Sequence, residues 1–366
     1  MRERRNAVGV VPGRDARTRR RRVLLPLAAS ASALALGLGI AACGSDDNND
    51  NSGSSSGGSS NKGKQVTIGL ITKTESNPFF VKMKEGAQAQ AKKDNVKLLT
   101  ASGKFDTDNA SQVAALENMT TQGAKAILLV PADSKAVVPA AQKARDRGVV
   151  VIALDTPTEP KSAVDALFAT DNFKAGELIG KYAKAKAQEM GIKPKIAMLD
   201  LAPGISVGQL RHDGFLKGFG IKDGDPQIVG SASTQGDRAK GQAAMETLLQ
   251  KDKGINVIYS INEPSGFGGA NALKAAGKDP KDFILVSVDG GCEAIAKGIK
   301  PGIIDATSQQ YPLKMAALGV EKGAAAARGG PKPSGYVDTG VNLITDEPVK
   351  GVTAKDSKFG TENCWG

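Results

Sequence analysis

An α/β architecture of two doubly wound parallel-sheet lobes is what the sequence predicts, on three observations. From Gln65 onward one theme recurs: a short β-branched apolar run, a turn, then an Ala-rich helical stretch. The runs recur at spacings near thirty residues, the length of a βαβ unit, and such units force parallel sheets with helices on both faces. About 300 residues follow Lys64, and with 40% apolar content they are ample for a core but long for a single one.

Taken in order, the expected strands of the first lobe are Val66–Ile71, Val96–Ala101, Ala126–Val130 and Val149–Leu154. Those of the second are Ile196–Leu201, Gln227–Ser231, Val257–Ser260 and Ile284–Val288. Between them, Asn109–Gln122, Ser134–Arg147 and Gly236–Gln250 carry helical patterns. The first lobe is expected over 65–171 and the second over 172–309. The remaining segment is shared: a helix at Leu313–Arg328 completes the first lobe over about 310–340, and a strand at Gly340–Ile344 returns the chain to the second over about 341–366. Ligands of open parallel sheets sit beyond the carboxyl ends of the strands, so the residues there deserve reading for chemistry.

After the first strand comes Thr72-Lys73-Thr74-Glu75-Ser76-Asn77-Pro78-Phe79-Phe80. Asn77 both donates and accepts, Pro78 is pre-set to open a helix, and the two rings offer flat apolar faces suited to the CH faces of a sugar. The alternative for Phe79 and Phe80 is core packing at a helix N-terminus. Asp155 follows the fourth strand and Asp289 the strand ending at Val288. Either carboxylate can cap a helix or accept two hydroxyl hydrogen bonds, and their equivalent places in the two lobes favour the second role. Asn262 and Glu263 follow Ser260, and Gln310 stands where the chain leaves the second lobe. Gln209 and Arg211 open a helix, Arg211 serving either a ligand or a local acid.

The first 64 residues carry a different message. Arg17, Arg19, Arg20, Arg21 and Arg22 precede an apolar run from Val23 to Ala42, then Cys43, then a Gly/Ser/Asn tether to Lys64. A basic region, an apolar region and small residues before a cut make an export signal over 1–42. Ile40-Ala41-Ala42-Cys43 resembles the lipobox of bacterial lipoproteins, which implies cleavage before Cys43 and lipidation of its sulfur, giving a membrane-anchored protein outside the cytoplasm. An uncleaved transmembrane anchor is the alternative, but Pro26, Gly37 and Gly39 weaken it. The tether over 43–64 has a coil reach of roughly 25 Å.

Formal net charge is +11, yet nine arginines against Glu3 and Asp15 put +7 of it in residues 1–43. The remainder leaves no basic patch for a phosphate backbone, so nucleic acid is excluded as a partner. A single histidine, His212, expected as an exposed helix residue, and the absence of a phosphate loop or Cys/His metal spacing argue against an enzyme, a metal and a cofactor. With Cys43 lipidated, Cys292 and Cys364 are left to pair in an oxidising exterior or to stand as buried thiols. A bridge would tie the C-terminal tail to the body of one lobe.

SNPFF after the first strand, ALDTP, ATDN, R-x-x-GF, the Asn-Glu pair, SVDGG and the Gln-Tyr-Pro crossing, in that order, resemble the sugar-binding proteins of ABC transporters of the ribose-binding type. ITKTESNPFFVKMKEGA, DNASQVAALENM, ALDTPTEP, ATDNFKAGELIG and the ending Glu362-Asn363-Cys364-Trp365-Gly366 look most like the fructose-binding subgroup. The resemblance, over about Val66 to Gly366, implies the type I periplasmic binding protein fold, LacI-like, with two lobes joined by a three-crossing hinge. It implies a monomer that closes over one monosaccharide and presents it to a permease and its ATPase. Carried over by position, the ligand residues are Asn77, Phe79, Phe80, Asp155, Asn262, Asp289 and Gln310, with Lys73 at a hexose-contacting position. Asp171, at the first crossing, is a ligand contact or a hinge residue.

This chain departs from the ribose-binding pattern with Gln209 in place of an Arg, Val288 in place of an aromatic residue and Gly236 near the place of another ring. Fewer stacking faces in the second lobe favour a ligand held by hydrogen bonds, such as a ketohexose. Sugar-responsive repressors share the fold but need a helix-turn-helix where this chain has an export signal. A sensory lipoprotein that hands a sugar or signal to a membrane receptor is the remaining alternative.

Overall fold

The computed structural model describes residues 63–366. The expected signal over 1–42, Cys43 and the tether up to residue 62 lie outside the described residues. The chain runs β1 (Val66–Thr72), α1 (Pro78–Lys93), β2 (Val96–Ser102), α2 (Asn109–Thr121), β3 (Ala126–Leu129), α3 (Val138–Asp146), β4 (Val150–Leu154) and β5 (Ala166–Ala169). It continues through α4 (Asn172–Glu189), β6 (Ile196–Asp200), α5 (Ser206–Phe219), β7 (Ile228–Ser233), α6 (Arg238–Lys251), β8 (Val257–Ser260), α7 (Glu263–Ala275), β9 (Ile284–Asp289), α8 (Cys292–Ala294) and β10 (Ala306–Gln309). It ends with α9 (Pro312–Ala327), β11 (Gly335–Asp338), β12 (Asn342–Ile344) and α10 (Ser357–Asn363).

Two six-stranded sheets result, ordered β11-β5-β4-β3-β1-β2 and β12-β10-β9-β8-β6-β7. All pairings are parallel except β10 with β12. The two orders are the same doubly wound pattern, so β1 to β5 correspond to β6 to β10. The chain passes between sheets near residues 170–171, 310–311 and 339–341, and Thr170 donates to Gly340 O at 3.2 Å across two of these crossings.

Period-two alternation explains why each sheet is covered on both faces. Ile68, Leu70, Leu128 and Ile152 face Met83, Ala87, Met315 and Val320 of α1 and α9, while Ile127, Leu129 and Val151 face Leu116, Met119 and Ala141 of α2 and α3. In the second sheet, Met198, Tyr259 and Val286 face Ile179, Tyr182 and Phe215 of α4 and α5, and Leu199, Ile258 and Leu285 face Met245, Leu248 and Leu273 of α6 and α7.

The eight expected strands form, and the expected helix at Ser134 begins instead at Val138. Residues before it are held by the other lobe: Ser134 N donates to Gly204 O at 3.0 Å. The expected strand at Gly340 shortens to Asn342–Ile344. Among the described residues, no helix is long and apolar enough to cross a membrane.

A disulfide joins Cys292, at the start of α8, to Cys364, with the Cα atoms 5.0 Å apart. It places Trp365 between the lobes, where its indole Nε1 donates to Gln310 O at 2.9 Å and its ring meets Phe79 edge-on at 5.4 Å. The bridge ties the tail to the second lobe, as expected, and Trp365 beyond it also touches the first.

Candidate functional site

Nine of the sequence-predicted residues converge on one small cavity of about 20 Å³ between the lobes: Lys73, Asn77, Phe79, Phe80, Asp155, Arg211, Asn262, Asp289 and Gln310. Asp106, Leu201 and Val207 complete its lining. That volume holds about one water, so a larger guest enters only with the lobes further apart.

The first lobe contributes through the ends of β1, β2 and β4. Asn77 caps α1, its Oδ1 accepting from Phe79 N at 3.0 Å, which turns the two rings inward. They meet edge-to-face at 5.4 Å and pack into the core as well as lining the cavity. Lys73 Nζ lies 5.9 Å from the Phe80 ring centre. Asp106, 6% exposed, has its carboxyl pushed up by burial, against the opposing charge of Lys73.

The two strand-end carboxylates occupy left-handed backbone, with φ of 61° at Asp155 and 131° at Asp289. Asp155 Oδ2 accepts from Thr156 Oγ1 at 2.8 Å. Asp289 Oδ1 accepts from Gln310 Nε2 at 2.6 Å and from Arg211 Nη1 at 3.4 Å. Burial pushes Asp289 up to about 6, although Arg211 and Gln310 pull it down. Its turn is held by buried Glu263, which accepts from Gly290 N at 2.6 Å, Gly291 N at 3.0 Å and Thr307 Oγ1 at 2.9 Å. Asn262 caps α7, accepting from Ser265 N and donating to Gly236 O, each at 3.1 Å.

Arg211 is the centre of the network. Its Nε donates to Asn172 Oδ1 at 2.8 Å and its Nη1 to Ile261 O at 2.9 Å, while Nη2 lies 3.6 Å from Asp155 of the opposite lobe. Close approach of α4 and α5 puts it there. A Cβ on Gly176 would lie 2.1 Å from Arg211 O, and one on Gly214 would lie 2.1 Å from Phe173 O, so these helices pack backbone on backbone.

Three acceptor atoms around the cavity receive no hydrogen bond from a described residue: Asp106 Oδ2, Asp155 Oδ1 and Gln310 Oε1. Buried acceptors of this kind are costly unless something donates to them; two come from the first lobe and the third from the hinge.

The profile of the periplasmic binding protein domain matches residues 68–331. The chain belongs to that family. This periplasmic binding protein is 34% identical to the ribose import binding protein of Bacillus subtilis (strain 168) over 263 residues, 72% of this chain and 82% of the relative. Among solved structures, it superposes on an ABC transporter solute-binding protein from Agrobacterium vitis with bound D-fucose at TM-score 0.72 and 27% identity, covering 82% of this chain and 100% of that one. A periplasmic solute-binding protein from Actinobacillus succinogenes 130z with bound D-allose gives TM-score 0.67 at 28% identity, covering 76% and 97%. The curated relatives are binding proteins, and this family member is a binding protein rather than an enzyme.

Two predicted residues stand outside the cavity of this periplasmic binding protein. Asp171 is an exposed cap of α4, accepting from Lys174 N at 2.9 Å. Gln209, two positions from Arg211 and so turned about 200° around the helix, is exposed and donates to Asp213 at 2.7 Å. His212 is not the exposed residue expected: Asp200 and Asp223 flank its ring nitrogens at 2.9 Å each, and its side chain is 13% exposed. Asp106 was legible by the strand-end rule applied to β2. The aliphatic Leu201 and Val207 carry no chemical signal.

Proposed function

We propose that this protein is the extracytoplasmic, lipid-anchored binding component of an ABC importer. Its lobes close over one neutral monosaccharide, fructose or a related hexose or pentose, and present it to a membrane permease. The observation that carries this reading is the set of orphan acceptors, Asp106 Oδ2, Asp155 Oδ1 and Gln310 Oε1, on a cavity whose wall comes from both lobes. A polyol supplies hydroxyl donors to each. Asp106, Asp155 and Asp289 stand against Lys73 and Arg211 on this wall, a mixed lining of acceptors and donors that suits hydroxyl groups.

Asn77, Phe79, Phe80 and Lys73 are assigned to grip one side of the ring, with Arg211, Asn262 and Asp289 on the other and Gln310 at the hinge. Relatives named for ribose and allose, and structures holding D-fucose and D-allose, support the substrate class. The absence of a second-lobe ring at Val288 and Gly236 favours a hydrogen-bonded ketohexose within it. Bound groups from both lobes give the differential affinity that closure requires.

A thermal-shift screen of the full chain against pentoses, hexoses and polyols tests the reading. A true ligand at 100 times its Kd stabilises by about 2.7 kcal/mol, a rise of several degrees in Tm. A screen in which no sugar moves Tm sinks the proposal. Lipid attachment has its own test: a Cys43→Ser chain should lose metabolic palmitate labelling that the wild type acquires.

A further inference from the structure

We infer that the protein accepts a glycosidically substituted sugar, whose neutral substituent occupies a vestibule outside the inner cavity; this rests on the sugar-binding reading above. The vestibule is a cleft of about 690 Å³, within the roughly 300–1,000 Å³ typical of small-molecule sites. Asn77, Asp106 and Asp289 line both it and the inner cavity, so the two adjoin. A second groove, near Tyr336, shares only Asp155 with the inner cavity.

Its walls come from opposite lobes, the β2–α2 loop on one side and the β7–α6 loop with the start of α7 on the other. The chemistry there changes from that of the inner site. Asp106 turns inward, while its neighbour Phe105 stands 50% exposed in the cleft wall. Across the cleft the guanidinium of Arg238 covers the ring of Phe267 at 4.8 Å and pairs with Glu293 at 3.1 Å. A free monosaccharide confined to the inner polar groups leaves the Phe105 ring in water. A second ring linked to it reaches that face and removes apolar aromatic surface from solvent. Two of the four cations on its wall are already matched, Lys82 by Glu85 at 2.8 Å and Arg238 by Glu293 at 3.1 Å, which leaves a neutral substituent, a second sugar or an aryl group, as the fitting class.

Isothermal titration calorimetry of the full chain with D-fructose, D-ribose and D-allose, and with the methyl and phenyl glycosides of each, tests this. The expected result is that a phenyl glycoside of the best-binding sugar binds within threefold of the parent or more tightly. Phe105→Ala should weaken the phenyl glycoside about tenfold and leave the parent sugar within twofold. The inference is overturned if the parent binds while its glycosides lose more than thirtyfold, or if Phe105→Ala weakens both equally. Failure of every free sugar to bind overturns the sugar-binding reading itself, and this inference with it.

Discussion

Asp155 and Asp289 sit at corresponding ends of β4 and β9, each in left-handed backbone that a non-glycine residue adopts at a cost of about 1–3 kcal/mol. Strain duplicated in two lobes at the same register aims both carboxylates at one point. Charged hydrogen bonds contribute about 1.5–3 kcal/mol, so Asp155→Ala or Asp289→Ala should weaken sugar affinity more than tenfold in calorimetry. Unchanged affinity in both variants would reject this pocket. His212 offers a separate test at the same scale. Burial lowers its pKa, but the paired Asp200 and Asp223 outweigh that and hold it at about 9. A raised folded pKa means the stabilisation is fully present below the unfolded value near 6.5 and is lost as pH rises through about 9. Asp305, pushed up by burial to about 7, is half ionised there and adds to the fall only in the lower part of that window. Solvent around exposed Asp223 screens part of the gain, leaving about 1–2 kcal/mol. Tm should therefore fall between pH 7 and 9.5, and His212→Gln should flatten the slope; a wild-type Tm flat over this range would contradict the clamp.

Helices α4 and α5 show how an element places a residue it does not otherwise concern. Gly176 and Gly180 of one and Gly214 and Gly218 of the other meet backbone at 2.1–2.3 Å from any added Cβ, so Gly176→Ala must push the helices apart. Overpacking costs about 1–3 kcal/mol, and because the atom struck is the carbonyl of Arg211, affinity should fall along with Tm; retained affinity at lowered Tm would show that Arg211 keeps its place. Element legibility follows the same physics. Strands such as β3, buried throughout, announce themselves as apolar runs. The unexpected strands do not: β5 is alanine-rich, β10 reads Ala-Thr-Ser-Gln, and β11 is an edge with every residue exposed. Their places are set by pairing with neighbours, which one sequence does not display. The candidate site was legible at polar residues near strand ends such as Asn77, Asp155 and Asp289, because topology makes those positions converge, while Asp171 after β5 caps α4 instead. It was illegible at Gln209, where helix phase decides, and at Leu201 and Val207, whose side chains carry only shape.

At the scale of the whole molecule, the lobes are also held together by bonds that involve none of the cavity residues. Ser134 Oγ donates to Ser206 Oγ at 2.8 Å and accepts from Ser206 N at 3.1 Å, and Ser206 Oγ donates to Pro157 O at 2.7 Å. With the Ser134 N to Gly204 O bond at 3.0 Å, they form a buried clasp at the start of α5. Because the clasp exists only when the lobes are together, it raises the closed population whatever the site holds, and a ligand then has less of the closure free energy to supply. Net hydrogen bonds contribute about 0.5–1.5 kcal/mol each. Ser206→Ala breaks the Pro157 bond and the hydroxyl partnership with Ser134 while leaving every cavity side chain in place. Sugar affinity should drop roughly three- to tenfold, through faster dissociation rather than slower association, since association begins from the parted lobes. The lone Trp365, lodged between Gln310 and Phe79, gives a fluorescence readout for both rates in stopped flow. A Ser206→Ala protein that releases sugar at the wild-type rate would show that the clasp does not bear on closure.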